Sequence, residues 1–224
     1  DFAHKHDLQM HVHLSETKSE QVACIQRHGM TPAAVFEKYG LWDTPAIAAH
    51  CVWTSPEDWE ILRRHGVTVV HNPASNMKLA SGAAPVEQMI GAGLNVALGT
   101  DGMSSNDNHS MFEEMKLASL LSKVTTLNPM SLRDDQVLKM ATVNGARVVK
   151  AGAQADLILV DFHAPNLHPC HDPAANLIYS ANASNVCMNM ARGKIIYENG
   201  TFLTMDIEEI YREVERYAVP KLFR

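Results

Sequence analysis

An α/β fold built on parallel strands is predicted by three observations. Strand signals alternate with helix signals through the first 130 residues. The ionisable residues His13, His50, His71 and Asp101 stand at the carboxyl ends of four successive strand signals. His13 and Asp101 lie 88 residues apart over three strand-to-strand steps, about 29 per step, and an eight-unit barrel of roughly 250 residues averages about 31 per unit. The fold expected is therefore a (β/α)8 TIM-type barrel with four of its eight strands present. Part of a small β-sandwich-like domain follows. The domain reading is 1–150 for the barrel portion, 151–203 for the small β-domain and 204–224 for a carboxyl-terminal helix.

The elements follow in order. Leu8–Leu14 alternates apolar and polar side chains and reads as a strand. Thr17–His28 and Thr31–Tyr39 read as helices closed by Gly29 and Gly40, at the point where a helix exit wants positive φ. Pro45–Val52 is the second strand. Ser55-Pro56-Glu57-Asp58 opens a helix with a serine cap, a proline at the first position and acids in the first turn, and Gly66 ends it. Val67–His71 is the third strand, running into a turn-rich stretch, Asn72–Gly82. Val86–Ile90 is helical, Leu94–Leu98 is the fourth strand, and Met111–Val124 and a capped Ser131–Thr142 are helices. After Lys150, Ala155–Asp161, Val186–Met190, Lys194–Glu198 and Thr201–Leu203 read as short strands. Asn199-Gly200 is a hairpin turn and Ile207–Tyr217 a last helix.

Composition narrows the function. The chain of 224 residues is 46% hydrophobic and 20% charged with a net charge of −6, a globular balance that offers no basic stretch for phosphates. No nucleic acid and no membrane are expected as partners, since no run of 18 apolar residues occurs. The four cysteines form no CxxC, which fits a reducing, cytoplasmic setting. Four strands cannot close a barrel, and an open half would expose its inner face and two edges. Residues are therefore expected before Asp1, and an omitted loop between Lys150 and Ala151.

The tetrapeptide His13-Leu14-Ser15-Glu16 can turn an imidazole and a carboxylate into the mouth of the sheet, one to bind a metal and one to move protons. With His50 and Asp101 on later strands, two imidazoles and a carboxylate reach three strand ends, as a hydrolytic metal site requires. Each also fits a plainer role: Asp101-Gly102 a turn, Glu16 the dipole of the helix that follows. His71, Ser75 and Asn76 are candidates to line the substrate pocket or brace Asp101. His11 is assigned to the face opposite His13 and read as structural. His168-Pro169-Cys170-His171, in a Pro- and Asn-rich loop, is not taken as a ligand set.

Five segments, in order, resemble the amidohydrolase superfamily. They are HVHLSET around His13, Ala49-His50-Cys51-Val52, the run His71–Gly82 (HNPASNMKLASG), Gly99-Thr100-Asp101-Gly102 with Ser105-Asn106, and Met111–Lys116 (MFEEMK). Asn144-Gly145-Ala146-Arg147 and Ala155–Asp161 extend the likeness, which is narrowest toward S-adenosylhomocysteine/5′-methylthioadenosine deaminases of the aminohydrolase and chlorohydrolase branch. The resemblance implies that strands five to eight of the barrel are present. It makes His13 and Asp101 metal ligands, Glu16 the proton shuttle to the substrate ring, and His50 the contact to the attacking or departing group. It implies one divalent metal, Zn2+ with Fe2+ or Mn2+ as substitutes, whose acidity activates a water. The reaction implied is deamination of an adenine-bearing nucleoside, by a small-molecule enzyme expected to be a homo-oligomer. The family's first-strand His-x-His pair has no counterpart, because His11-Val12-His13 lies on the wrong strand. The alternatives are a deaminase or chlorohydrolase of another heterocycle (guanine, triazine), or a non-catalytic fragment.

Overall fold

The computed structural model describes residues 2–149 and 155–223. Residues 2–149 with His171–Ala181 form one compact unit, and residues 155–170 with 182–223 form a second. The expected break between Lys150 and Ala151 lies outside the described residues.

In the first unit a short helix α1 (Phe2–Lys5) precedes strand β1 (Met10–Leu14). Helices α2 (Lys18–His28) and α3 (Pro32–Lys38) lead to β2 (Ala46–His50), and α4 (Pro56–Arg64) leads to β3 (Thr68–His71). Then come α5 (Pro73–Lys78), α6 (Val86–Gly91), β4 (Val96–Leu98), α7 (Met103–Asn106) and α8 (Met111–Thr126). Helices α9 (Asp134–Ala141), α10 (Val143–Val148) and α11 (Pro173–Tyr179) complete it.

The four strands form one parallel sheet in the order β1-β2-β3-β4. Register assigns each row to a face. Val12, Ala48, Val69 and Val96 lie side by side, and the last three are fully buried against helices with Leu62, Met89, Met115, Val137 and Met140. The next row, His13, Ala49, Val70 and Ala97, faces the other way. One face is thus core, and the other carries the site.

Caps written in the sequence set the helix starts. Thr17 and Thr31 accept the backbone N–H of Glu20 and Ala34, and Ser55 and Asp58 form a reciprocal capping box. Asp58 also accepts the Thr31 hydroxyl at 2.5 Å, joining the starts of α3 and α4.

Three sequence expectations change. The stretch 72–82 is not all turn: Pro73–Lys78 is helical, since proline presets φ at its first turn and the Ala74 N–H finds an acceptor far along the chain, Glu114. The helix expected from Ser131 starts at Asp134, because the Ser131 hydroxyl is spent on Glu87 and Ser122 and caps nothing. The last helix divides, α12 running Ile207–Glu213 before a wider turn over Val214–Ala218 and a final turn Val219–Leu222.

The second unit holds an antiparallel sheet of β5 (Leu157–Val160), β6 (Val186–Ala191), β7 (Lys194–Glu198) and β8 (Thr201–Phe202), in that order. Asn199 and Gly200 both take positive φ, 43° and 88°, the geometry of the tight hairpin their dipeptide announces. Among the described residues no helix is long and apolar enough to cross a membrane.

Candidate metal centre and active site

The site is built where β1 to β4 end. His13 is the fourth residue of β1, with Glu16 just past its end; His50 ends β2, His71 ends β3, and Asp101 lies three residues beyond β4. To bring these side chains inward the backbone leaves the extended region: Ser15, His50, Cys51 and Asp101 all have positive φ, at 49°, 71°, 51° and 59°. Left-handed backbone at a non-glycine residue costs of order 1–2 kcal/mol, and such strain concentrates at functional sites.

One donor atom each from His13, His50 and Asp101 gathers within 4.8 Å of the others. The His13 and His50 rings stack with centroids 5.2 Å apart. His50 is wholly buried, and its Nδ1 pairs with Asn76 Oδ1 at 2.8 Å. With that oxygen as acceptor, the ring proton sits on Nδ1 and Nε2 presents a lone pair. That Nε2 has no hydrogen-bond partner. It lies 3.9 Å from Glu16 Oε2 and 4.0 Å from Asp101 Oδ2, too far for hydrogen bonds and spaced to share a bound species.

The carboxylates are held from outside the cluster. Ser75 donates to Asp101 Oδ2 at 2.6 Å and the Gly102 N–H to Oδ1 at 2.7 Å. Burial pushes the Asp101 carboxyl up, but the Ser75 and Gly102 hydrogen bonds and the nearby His50 and His13 rings outweigh it and leave it below its usual range. Glu16 Oε1 accepts the Ser81 hydroxyl at 2.9 Å, and the Ser81 carbonyl accepts the Trp53 indole N–H at 2.8 Å. His71 is buried beside His50. Desolvation first, and then the His50 ring, lower its pKa to about 3, so it is a neutral ring with an unpaired Nδ1.

Two imidazoles and a carboxylate are the donor types of catalytic zinc, and three protein donors leave a fourth position open. The orphaned Nε2 of His50 fits a cation or a hydrogen-bond donor held over the sheet edge. The structure thus brings a third donor to the His13–Asp101 pair. His11 stands differently from its expected place: it lies on the same face as His13, their rings 6.5 Å apart, and both line one open cavity with Asn72 and Asp101. A strand repeats every two residues, so positions 11 and 13 must share a face. Glu16, His50, Ser75, Asn76 and Asp101 converge through the contacts above. Ser81, Asn106 and Glu114 are partners that sequence reasoning did not single out, since their contacts span up to 65 residues.

A parallel α/β sheet with such a cluster at its carboxyl edge defines a protein that gathers there a set of residues able to hold a metal ion. The chain belongs to the amidohydrolase family, whose sequence model matches residues 1–196. It is 46% identical over 216 residues to a 5-methylthioadenosine/S-adenosylhomocysteine deaminase of Moorella thermoacetica, covering 92% of this chain and 50% of that protein. It is 44% identical over 216 residues to a 5′-deoxyadenosine deaminase of Methanosarcina mazei, covering 93% and 50%. A crystal structure of a zinc-bound adenosine deaminase from Xanthomonas campestris superposes with a TM-score of 0.92 at 30% identity, over 98% of this chain and 52% of that one. The chain spans about half the length of the curated relatives it matches.

Proposed function

We propose that this chain is the carboxyl-terminal half of a (β/α)8 hydrolase barrel, residues 1–150, with part of a small β-domain over 151–203 and a helix over 204–224. Its proposed reaction is hydrolytic deamination of an adenine-bearing nucleoside of the methylthioadenosine or S-adenosylhomocysteine type. The single observation that supports it most is the convergence of His13, His50 and Asp101 beside Glu16. The names of the relatives support the substrate class.

His13 and Asp101 are the residues that would hold one divalent metal, zinc by the relatives, and the His50 Nε2 lone pair is kept for the attacking water. The ion supplies Lewis acidity that makes a water a nucleophile at neutral pH. Asp101, kept ionised by Ser75 and Gly102, takes the proton of that water. His50, protonated on Nδ1, accepts a hydrogen bond at Nε2 and orients the same water. Glu16 hands a proton to a ring nitrogen, which makes the amino-bearing carbon electrophilic. Water oxygen bonds to that carbon, Asp101 passes the proton it took to the amino nitrogen, the carbon–nitrogen bond breaks and nitrogen leaves as ammonia, and the remaining hydroxyl proton restores Glu16. His71, Ser75 and Asn76 line and brace this space.

Ammonia release by the intact natural polypeptide, across adenosine derivatives, guanine and a chlorotriazine, with metal content measured in parallel, tests the reading. Glu16→Gln is expected to keep its metal and lose about 100-fold or more in kcat, whereas Asp101→Asn loses both. Chloride release alone, or unchanged activity in metal-free Asp101→Asn, refutes it.

A further inference from the structure

Apart from the capping Asp58, the reaction leaves one buried carboxylate unused. Glu114, on α8, is 1% exposed and forms no ion pair among the described residues, although a buried charge without a counter-ion is costly. Both of its oxygens are occupied. Oε2 accepts the backbone N–H of Ala74 at 3.2 Å, and Oε1 accepts Asn106 Nδ2 at 2.7 Å. The same Asn106 nitrogen donates to the Thr100 carbonyl at 2.6 Å.

These partners are neighbours of the site. Ala74 precedes Ser75 and Asn76, which hold Asp101 and His50. Thr100 precedes Asp101, whose backbone sits at φ 59°. The contacts close a ring from Glu114 through Ala74 and Ser75 to Asp101, and back through Thr100 and Asn106. The carboxylate joins the end of β3 to the end of β4 at a point where no ladder hydrogen bond reaches, for the β3–β4 pairing ends at His71 and Leu98.

We infer that Glu114, with Asn106, is a positioning residue that fixes the Ser75–Asp101 contact and through it the aim of the Asp101 carboxylate; the inference rests on the reaction proposed above. Burial pushes the Glu114 carboxyl up against the opposing pull of the two donors, and what the place uses is a pair of acceptor oxygens, one for each donor. A glutamine has one oxygen for two donors, so it fills the volume and releases one arm of the clamp. The partners of a site's ligands commonly change metal affinity by about 10- to 100-fold when removed.

The test is a double-mutant cycle on the zinc-loaded intact polypeptide, with Glu114→Gln, Ser75→Ala and the pair. Glu114→Gln is expected to lower kcat about tenfold or more with KM changed by less than about twofold, and Glu114→Asp to restore part of the loss. In the Ser75→Ala background the same change should cost less than about threefold, because the contact it serves is gone. Equal fold-losses in both backgrounds, or an altered melting temperature with kcat intact, overturn the inference. Should Glu114→Gln not fold, Asn106→Ser cuts the other arm and must show the same dependence on Ser75. If the unmodified protein releases no ammonia, the functional reading fails by itself. The clamp is then judged by zinc affinity, which must fall about tenfold in Glu114→Gln alone and not further in the Ser75→Ala background.

Discussion

Gly99 joins β4 to the loop that carries Asp101, and Gly99→Ala is the smallest change that strains it. A Cβ built there falls 2.5 Å from Asn72 Oδ1 and 2.6 Å from Val70 Cγ1. Ordinary contact begins near 3.4 Å, so about 0.8 Å of overlap must be relieved on two sides at once. Neither neighbour yields easily: Asn72 is buried, and Val70 is held in β3 between Ala49 and Ala97. Overpacking of this kind costs about 1–3 kcal/mol, a fall in melting temperature of about 2–10 °C for a chain of this size. The relief available is outward movement of the β4 end, which carries Asp101 away from Ser75 and from His50. A displacement near 1 Å at reacting groups costs about 100-fold. Calorimetry and steady-state ammonia release on the intact polypeptide measure both effects. Stability within 0.5 kcal/mol of the parent together with undiminished kcat/KM would refute the packing argument, and with it the claim that β4 sets the position of Asp101.

Other expectations follow from single contacts. Ser81→Ala removes the hydroxyl on Glu16 Oε1 and should lower kcat by about 10- to 150-fold, a charge-assisted hydrogen bond being worth about 1.5–3 kcal/mol, with metal content unchanged; an unaltered kcat would show that Glu16 needs no such support. Asp58→Ala opens the capping box and leaves the Thr31 hydroxyl and Ser55 N–H unpaired, so urea unfolding should show a loss of about 2–3 kcal/mol, and a loss under 0.5 kcal/mol would contradict it. Burial pushes the Cys51 thiol far above its ordinary pKa, whereas Cys170 is exposed; a thiol reagent at pH 8 should label Cys170 within minutes and Cys51 only on unfolding, as peptide mass mapping will show.

What was readable in the sequence was local. The ends of β1, β3 and β4, the Ser55 cap and the Asn199-Gly200 turn each depend on residues within a few positions and stand where expected, whereas β2, expected to reach Val52, stops at His50, where the backbone turns left-handed. His13, Glu16, His50 and Asp101 were legible because a parallel sheet delivers all its carboxyl ends to one edge. The remainder depends on distant pairs. The helix at Pro73–Lys78 leans on a carboxylate 40 residues onward, and Ser81 meets Glu16 across 65. No period or spacing reports such contacts. His11 is a different case: strand parity fixes its face, and the two-residue repeat places it beside His13.

The left-handed residues along the carboxyl edge, Ser15, His50, Cys51 and Asp101, carry a consequence for anyone seeking a hardier version of the protein. Glycine at Ser15 would relax a torsion that an ordinary side chain resists, and where that relief exceeds the lost hydrogen bond to Gln21 screens for heat tolerance would reward it; at Cys51 it would empty a core position. The same slack would let the imidazole and carboxylate swing, so durability gained at this rim would be paid for in turnover.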